Sequence, residues 1–173
     1  MEPSFLRLDG LLEELKAMRK QTKRPASKKR KRRREILVTR DFNAPRHLVY
    51  HAFTKPELVT ICEIDLKVGG AYRYLWRKPG EKDMGIGGIF REIVAPERVV
   101  ATEKFDESWY PGAALNTTVF VEQRGITTTS ITILYESKEA RDTAQRSGME
   151  QGMAAGYTRL EELLSSMQTE RAR

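Results

Sequence analysis

Three aromatic side chains at alternate positions are the residues of this sequence best suited to hold another molecule. In the stretch LKVGGAYRYLWR, residues 66–77, the aromatics are Tyr72, Tyr74 and Trp76, and Arg73 lies between the first two. Successive side chains of a β-strand point to opposite faces of the sheet, so the three rings share one face. The pattern predicts either an ordinary packed core or the wall of a cavity, and spacing alone does not separate the two.

Residues able to carry catalysis are few. The sequence contains no nucleophile elbow, no paired-carboxylate signature and no phosphate-binding glycine loop. GIGGIF at residues 85–90 lies in a strand-like segment and opens no helix, so it does not present the N–H groups that bind phosphate. His51, Glu103 and Arg73 are candidates for acid–base chemistry in a cavity. We favour a non-catalytic protein and keep acid–base catalysis as the less favoured alternative.

Metal and disulfide chemistry have little support in the sequence. Cys62 is the only cysteine, which excludes an intrachain disulfide and a cysteine-rich zinc site. His47 and His51 lie four residues apart on a predicted helix, but no further ligand motif accompanies them. We therefore predict neither a metal nor a cofactor.

The positive charge of the chain belongs to its N-terminal segment. The formal net charge is +7, and residues 1–34 hold 13 Lys and Arg against 4 Asp and Glu, whereas the remaining residues hold 18 against 20. Apolar side chains at helical spacing over residues 4–20 predict a short amphipathic helix. The following run KRPASKKRKRRR, residues 23–34, predicts a disordered linker. Together these features predict a basic N-terminal arm.

Seven consecutive basic residues end this arm. They are Lys28, Lys29, Arg30, Lys31, Arg32, Arg33 and Arg34. Clustered Lys and Arg bind polyanions by neutralising phosphates, so weak, non-specific contact with nucleic acid or an anionic membrane is one interpretation. A solvated tail without a partner is the favoured one. The sequence has no apolar run of about 18 residues and no secretory signal, which predicts a cytoplasmic protein without a transmembrane segment.

From Glu35 onward, short apolar alternations separated by turn signals predict an antiparallel meander. EILVTRDF predicts the first strand, and NAPRHLVYHAF predicts a helix capped by Asn43. Six further strands are predicted between CEIDLKV and TTTSITILYES. Residues 138–167 then predict one long C-terminal helix, with Ser137 as its N-cap.

Glycines lie inside several strand-like segments, at Gly69 and Gly70 and again at Gly85, Gly87 and Gly88. Glycine within a strand permits sharp curvature. A strongly curved sheet around one long helix leaves a wedge that is either filled or hollow. The hollow alternative predicts an apolar tunnel between aromatics on the sheet and adaptable methionines on the helix. An ordinary packed core is the equal alternative.

Four blocks of the chain resemble the START-like (SRPBCC, birch-pollen-allergen-like) superfamily. They are VTRDFNAPRHLVYHAFTKPEL, EIDLKVGGAYRYLWR, GIFREIVAPERVVATEKF and GMEQGMAAGYTRLEELL. The resemblance covers about residues 35–168 and is closest to the branch named after the activator of the heat-shock-protein-90 ATPase. It implies an α+β helix-grip fold, in which a curved antiparallel β-sheet wraps around a long C-terminal α-helix and encloses a cavity. The connection TKPELVTICEIDL is shorter than in relatives, which implies either a more open pocket or a compromised corner of the domain.

We therefore predict a basic arm over residues 1–34, a START-like helix-grip domain over 35–168 and a tail over 169–173. The predicted function is to bind an unidentified apolar or amphipathic small molecule. The alternative is a protein-interaction module that resembles a chaperone ATPase activator and has a chaperone or another protein as its partner. The residues predicted to line the cavity are Tyr72, Tyr74, Trp76, Phe90, Met149, Met153 and Tyr157.

Overall fold

The computed structural model describes residues 33–54, 61–76 and 83–171, and within them seven strands form one antiparallel sheet. The strands are β1 (Glu35–Phe42), β2 (Ile61–Ile64), β3 (Ala71–Trp76), β4 (Met84–Val94), β5 (Arg98–Phe105), β6 (Ala114–Gln123) and β7 (Ile126–Leu134). The helices are α1 (Arg46–Thr54), α2 (Lys138–Arg146) and α3 (Met149–Arg171). The predicted α+β helix-grip fold, a curved antiparallel sheet with a long C-terminal helix, is confirmed.

The order of strands in the sheet is β1-β7-β6-β5-β4-β3-β2. Strands β2 to β7 follow one another as hairpins, and β1 joins the edge by pairing with β7 from Glu35 opposite Leu134 to Phe42 opposite Thr127. The β6–β7 hairpin closes through Arg124 and Gly125, whose φ angles are 54° and 78°. Two successive positive φ angles give a turn whose twist matches that of the flanking strands. The turn predicted from the dipeptide RG is therefore present.

The predicted single C-terminal helix is two helices. Helix α2 ends at Arg146, and Gly148 adopts a φ of 81° before α3 begins at Met149. A glycine with positive φ is the usual end of a helix, because other residues pay a steric penalty in that conformation. The predicted N-cap is confirmed, since the Ser137 hydroxyl accepts a hydrogen bond from the Ala140 N–H at 3.0 Å.

Two further local expectations differ from the structure. Gly69 and Gly70 lie in the turn before β3 and not inside a strand. Gly69 has a φ of 84°, and a Cβ on Gly70 would meet the Asp65 carbonyl oxygen at 2.0 Å.

At the start of α1, the Arg46 N–H donates to the Glu122 carboxylate at 2.8 Å. A carboxylate from β6 thus satisfies a free N–H of the first helical turn, the task that was predicted for Asn43.

Part of the predicted organisation lies outside the described residues. This applies to the arm up to residue 32 and to the start of the shortened connection at residues 55–60. Arg34 is described and joins the sheet, because its carbonyl oxygen accepts from the Tyr135 N–H at 2.9 Å. No helix of the described segments combines the length and the apolar character needed to cross a membrane.

Most buried side chains form one cluster between the helices and the inner face of β1, β6 and β7, which we call the packed core. Phe42 is 0% exposed, and its ring meets those of Phe53 and Tyr157 edge to face at 5.9 and 6.0 Å. Helix α3 contributes Leu160 and Leu164 to the same cluster. A second, smaller cluster of Tyr72, Phe90 and Ala101 lies on β3, β4 and β5.

Candidate functional site

A cavity of about 230 Å³ lies between the inner face of the sheet and the last turn of α1. An apolar cavity of about 150 Å³ in another protein is large enough to hold benzene, so this one has room for a small ring compound. Five strands and one helix contribute to its wall. The lining residues are Phe53, Thr54, Tyr72, Tyr74, Trp76, Ile86, Phe90, Val99, Ala101, Glu103, Asn116, Thr118, Phe120 and Ile131.

Strand β3 supplies a row of aromatic rings to this wall. The centroids of Tyr72 and Tyr74 are 5.1 Å apart, and those of Tyr74 and Trp76 are 6.1 Å apart. The Tyr72 ring also contacts that of Phe90 at 5.4 Å, and its hydroxyl donates to the Thr102 carbonyl oxygen at 2.8 Å. Tyr72 is buried, whereas Tyr74 and Trp76 are half-buried. Two of the rings therefore keep surface that a ligand can cover.

Gly88 is the residue of β4 that makes room for the Tyr72 ring. It pairs with Tyr72 across the β3–β4 ladder. A Cβ at this position would lie 1.8 Å from the Thr102 carbonyl oxygen and 2.9 Å from Cε1 of Tyr72. Both distances are too short for any side chain. The glycine therefore allows the aromatic row to lie close against β4 and β5.

A row of polar side chains crosses the cavity wall on β5 and β6. The Thr118 hydroxyl donates to Oδ1 of Asn116 at 3.3 Å, and Nδ2 of Asn116 donates to Oε2 of Glu103 at 3.2 Å. All three residues line the cavity. The bond from Thr118 fixes the orientation of the amide, so that its NH₂ group points at the carboxyl. The wall is thus apolar on most sides, with one hydrogen-bonding edge.

Glu103 is an ionisable group in surroundings that disfavour its charge. Burial raises the pKa of its carboxyl above the ordinary value, and the hydrogen bond from Asn116 acts in the opposite direction. Burial also raises the pKa of the phenols Tyr72, Tyr110 and Tyr157, and the charge of nearby Glu103 raises it further. Burial, and after it the charges of Tyr110 and Glu103, likewise raise the pKa of the Tyr135 phenol. These phenols keep their protons, so Glu103 is the group of this set that ionises first as the pH rises.

Two of the phenols near Glu103 have unused hydrogen-bonding capacity. The hydroxyls of Tyr110 and Tyr157 are buried and have no partner among the described residues. Tyr135 instead donates to Sδ of Met149 at 3.4 Å. A buried hydroxyl without a partner is unfavourable by about 1–3 kcal/mol, so these two hydroxyls favour an additional polar partner such as water.

The structure brings four of the seven predicted lining residues to the cavity. These are Tyr72, Tyr74, Trp76 and Phe90. Tyr157 instead belongs to the packed core, and Met149 and Met153 pack against it. The physical reason is the position of α3, whose buried face covers the packed core, so that the lining helix residues come from α1.

The three acid–base candidates are dispersed. His51 is exposed on α1. Arg73 lies on the outer face of the sheet, where its Nη1 donates to Oδ1 of Asp106 at 2.7 Å. Only Glu103 lines the cavity. Among the described residues, no group of three or more His, Cys, Asp or Glu side chains is arranged to hold a metal ion.

The polar row of β6 is the part of the site that the sequence analysis missed. In the segment LNTTVFVEQ, Asn116, Thr118 and Phe120 alternate and therefore share a face. Phe120 is 1% exposed, which makes this the inner face. Polar residues in register with a buried aromatic residue are the pattern that could have indicated a polar cavity edge.

Comparison with known proteins agrees with this architecture. The family model described as Activator of Hsp90 ATPase homolog 1-like protein matches residues 43–165. A protein from Rhodobacter sphaeroides is 25% identical with a TM-score of 0.71, and the match covers 78% of this chain and 94% of that one. A Nitrosomonas europaea protein is 19% identical with a TM-score of 0.69, and the match covers 79% of this chain and 97% of that one. A protein from Mycobacterium smegmatis is 18% identical with a TM-score of 0.69, and the match covers 79% of this chain and 94% of that one. No curated protein sequence matches the chain.

Proposed function

This chain belongs to the family described as Activator of Hsp90 ATPase homolog 1-like proteins, and on that premise we propose that it binds a small apolar or amphipathic molecule in the cavity. The observation that carries the proposal is the cavity of about 230 Å³ with an aromatic wall and one hydrogen-bonding edge. Mostly apolar pockets with a few placed polar groups are the usual form of a small-molecule site.

The free energy of such binding would come mainly from the aromatic wall. Tyr74 and Trp76 are half-buried in the ligand-free protein, so a bound molecule removes further apolar surface from water. Each square ångström of apolar surface removed contributes about 25 cal/mol. The edge of Glu103, Asn116 and Thr118 would then orient the molecule by hydrogen bonding.

The two tryptophans of the chain allow a matched test. Trp76 lines the cavity, whereas Trp109 is 47% exposed, meets Phe105 edge to face and is not among the lining residues. In a Trp109→Phe background, Trp76 is the only tryptophan, so its fluorescence reports on the cavity alone. Titration with a panel of apolar, aromatic and lipidic compounds should give a saturable change. Because Trp76→Ala removes the fluorescent reporter, binding to the alanine variants is measured by isothermal calorimetry; Trp76→Ala should weaken binding of any compound found, and Trp109→Ala should not.

Two results would contradict the proposal. The first is the absence of saturable binding across the whole panel. The second is an equal loss of affinity in Trp76→Ala and Trp109→Ala, because that would place the compound elsewhere. Native mass spectrometry of the protein purified from its own host complements the titration, since a retained small molecule would identify the class of ligand directly.

A second candidate function is stimulation of a chaperone ATPase, and the observation that favours it is the description of the matching family. In that case the sheet surface, and not the cavity, would contact the partner. The test is an ATPase assay with the Hsp90-type chaperone of the host. Stimulation that survives Trp76→Ala would support this function, and no stimulation at saturating protein would end it.

The basic arm remains a separate proposal, namely weak contact with nucleic acid or anionic membranes. Deletion of residues 1–32 removes most of the arm but keeps Arg34, because the Arg34 carbonyl oxygen accepts a hydrogen bond from the N–H of Tyr135, the residue that follows β7. If the arm binds phosphates, this deletion should abolish a salt-sensitive affinity for nucleic acid or anionic vesicles. Unchanged affinity in the deletion variant would rule the proposal out.

A further inference from the structure

Resting on the proposed function, we propose that the molecule held in the cavity carries a protonated amine that pairs with Glu103. The same argument predicts that the cavity rejects molecules whose polar end is a carboxylate. The chemical class is thus a small aromatic or aliphatic amine, and the specificity residue is Glu103, oriented by Asn116. Four observations support this assignment.

The first observation is the charge of the wall. Among the described residues that line the cavity, Glu103 is the one carboxylic acid, and none is a lysine, arginine or histidine. Arg73 and its partner Asp106 lie on the outer face of the sheet. A ligand anion would therefore approach a like charge, and the described part of the wall offers no cation to compensate it. A ligand cation would meet its counter-charge there.

The second observation is the free capacity of the carboxyl. Nδ2 of Asn116 donates to Oε2 of Glu103, and the described residues donate no other hydrogen bond to Glu103. Oε1 therefore remains available to an N–H donor in the cavity. An ammonium group has three donors and no acceptor, so it complements a carboxylate that has one oxygen engaged and one free.

The third observation is the aromatic surface beside this carboxyl. Tyr74, Trp76 and Phe53 line the same cavity as Glu103. The faces of aromatic rings attract cations, and tryptophan is the strongest partner. In a space of about 230 Å³, an amine on a ring-sized body has both the carboxyl and the rings within reach. An aromatic wall with one carboxyl is the combination expected for amine recognition.

The fourth observation concerns protonation. Burial raises the pKa of Glu103, so its carboxyl keeps a proton to higher pH than an exposed glutamate does. The phenols whose pKa the Glu103 charge raises are those of Tyr72, Tyr110, Tyr135 and Tyr157, and they stay neutral because burial raises their pKa as well. An incoming ammonium favours the carboxylate and expels its proton. Affinity for an amine should therefore rise with pH through the titration of Glu103.

Three probes with the same phenyl body and different polar ends test the inference. They are 2-phenylethylamine, 2-phenylethanol and 3-phenylpropionate, each titrated by isothermal calorimetry. We expect the amine to bind about tenfold or more tightly than the alcohol, the range of a charge-assisted hydrogen bond, and the carboxylate to bind most weakly. Affinity for the amine should increase as the pH rises through the titration of Glu103, because the amine itself stays protonated well into the alkaline range.

Glu103→Gln keeps the shape of the side chain and removes its charge. This variant should lose the preference for the amine and its pH dependence, so that the amine and 2-phenylethanol bind it with similar affinity. The control is Glu162→Gln, which removes a carboxylate from an exposed position of α3 and should behave like the unmodified protein.

The possible results separate the two proposals. If the alcohol or the carboxylate binds as tightly as the amine, or if affinity for the amine is independent of pH, the amine inference is wrong and the small-molecule function stands. If none of the three probes binds and the Trp76 fluorescence responds to no compound of the broad panel, both proposals are wrong.

Discussion

The packed core and the cavity share the inner face of one sheet, but they are filled by different means. In the packed core, Phe42 and Phe120 are at most 1% exposed; Tyr157 of α3 packs on Phe42, and Tyr50 and Phe53 of α1 pack on Phe120. In the cavity, the rings of Tyr74 and Trp76 remain half-buried, and the described helix residues that reach it are Phe53 and Thr54 of α1. The curved sheet offers more inner surface than α3 covers.

The two regions also differ in how they satisfy polar groups. In the packed core, the buried hydroxyls of Thr127 and Thr129 donate to the carbonyl oxygens of Ala44 and Arg40, at 2.7 and 3.2 Å. In the cavity, the Glu103 carboxyl has one donor, Asn116, among the described residues. These threonine hydroxyls are thus satisfied within the protein, although the packed core also holds the phenols of Tyr110 and Tyr157, whose hydroxyls have no partner among the described residues. What distinguishes the cavity is an ionisable carboxyl on its wall that keeps hydrogen-bonding capacity for a ligand.

The largest difference should appear when one ring is removed from each region. Phe42→Ala deletes a fully buried side chain and should destabilise the domain by about 3–5 kcal/mol. Trp76→Ala removes a half-buried side chain beside a cavity and should destabilise it by less than half as much, because less burial is lost. Urea unfolding followed by circular dichroism measures both. Equal losses would mean that the cavity side is packed as tightly as the core.

The close approach of the aromatic row to β4 gives the next largest effect. Gly88→Ala places a methyl group 1.8 Å from a backbone oxygen and should destabilise the domain by about 1–3 kcal/mol or more. The control is Gly152→Ala on α3, where a Cβ meets nothing within 4 Å. That change should stabilise the domain by about 0.5–1 kcal/mol, because alanine favours helix. A neutral Gly88→Ala would show that β4 can move away from Thr102 of β5.

Glu103→Gln should raise stability at neutral pH by about 1 kcal/mol, the scale of one buried polar group. Burial raises the pKa of Glu103 in the folded protein above the ordinary value of 4.5. The protonated carboxyl therefore carries no penalty at a pH below that ordinary value, and the folded protein loses stability as the pH rises through the folded-state pKa and the buried carboxyl becomes charged. The variant and the unmodified protein should therefore have equal stability in acid and diverge as pH rises. Unfolding at several pH values measures this, with Glu162→Gln as control. A difference that is independent of pH would contradict the account.

The smallest effect should come from the outer face of β3. Arg73 alternates with the cavity rings and pairs with Asp106 in solvent, so Arg73→Gln should leave probe affinity unchanged and stability nearly so. Fluorescence titration of Trp76 measures the affinity. A loss comparable to that of Trp76→Ala would mean that the two faces of β3 are not independent.

Local patterns were enough to predict the strands, α1 and the Ser137 cap, because each depends on neighbouring residues in the sequence. The break at Gly148 was also local, but the apolar periodicity on either side of it favoured one helix. The pairing of Glu103 with Asn116 depends on the register of β5 with β6, which places Asn116 opposite Ala101. Likewise, the cap from Glu122 crosses from β6 to α1. Such contacts arise only once the sheet is assembled.

A ligand should enter the cavity and leave the packed core untouched. Methyl-resolved NMR spectroscopy during titration with uncharged 2-phenylethanol tests it without relying on the charge of Glu103. We predict saturable shifts at Ile86 and Ala101, which line the cavity, and little change at Ile36 and Leu164 in the packed core. Shifts that are absent at all four residues, or that are largest at Ile36 and Leu164, would contradict it.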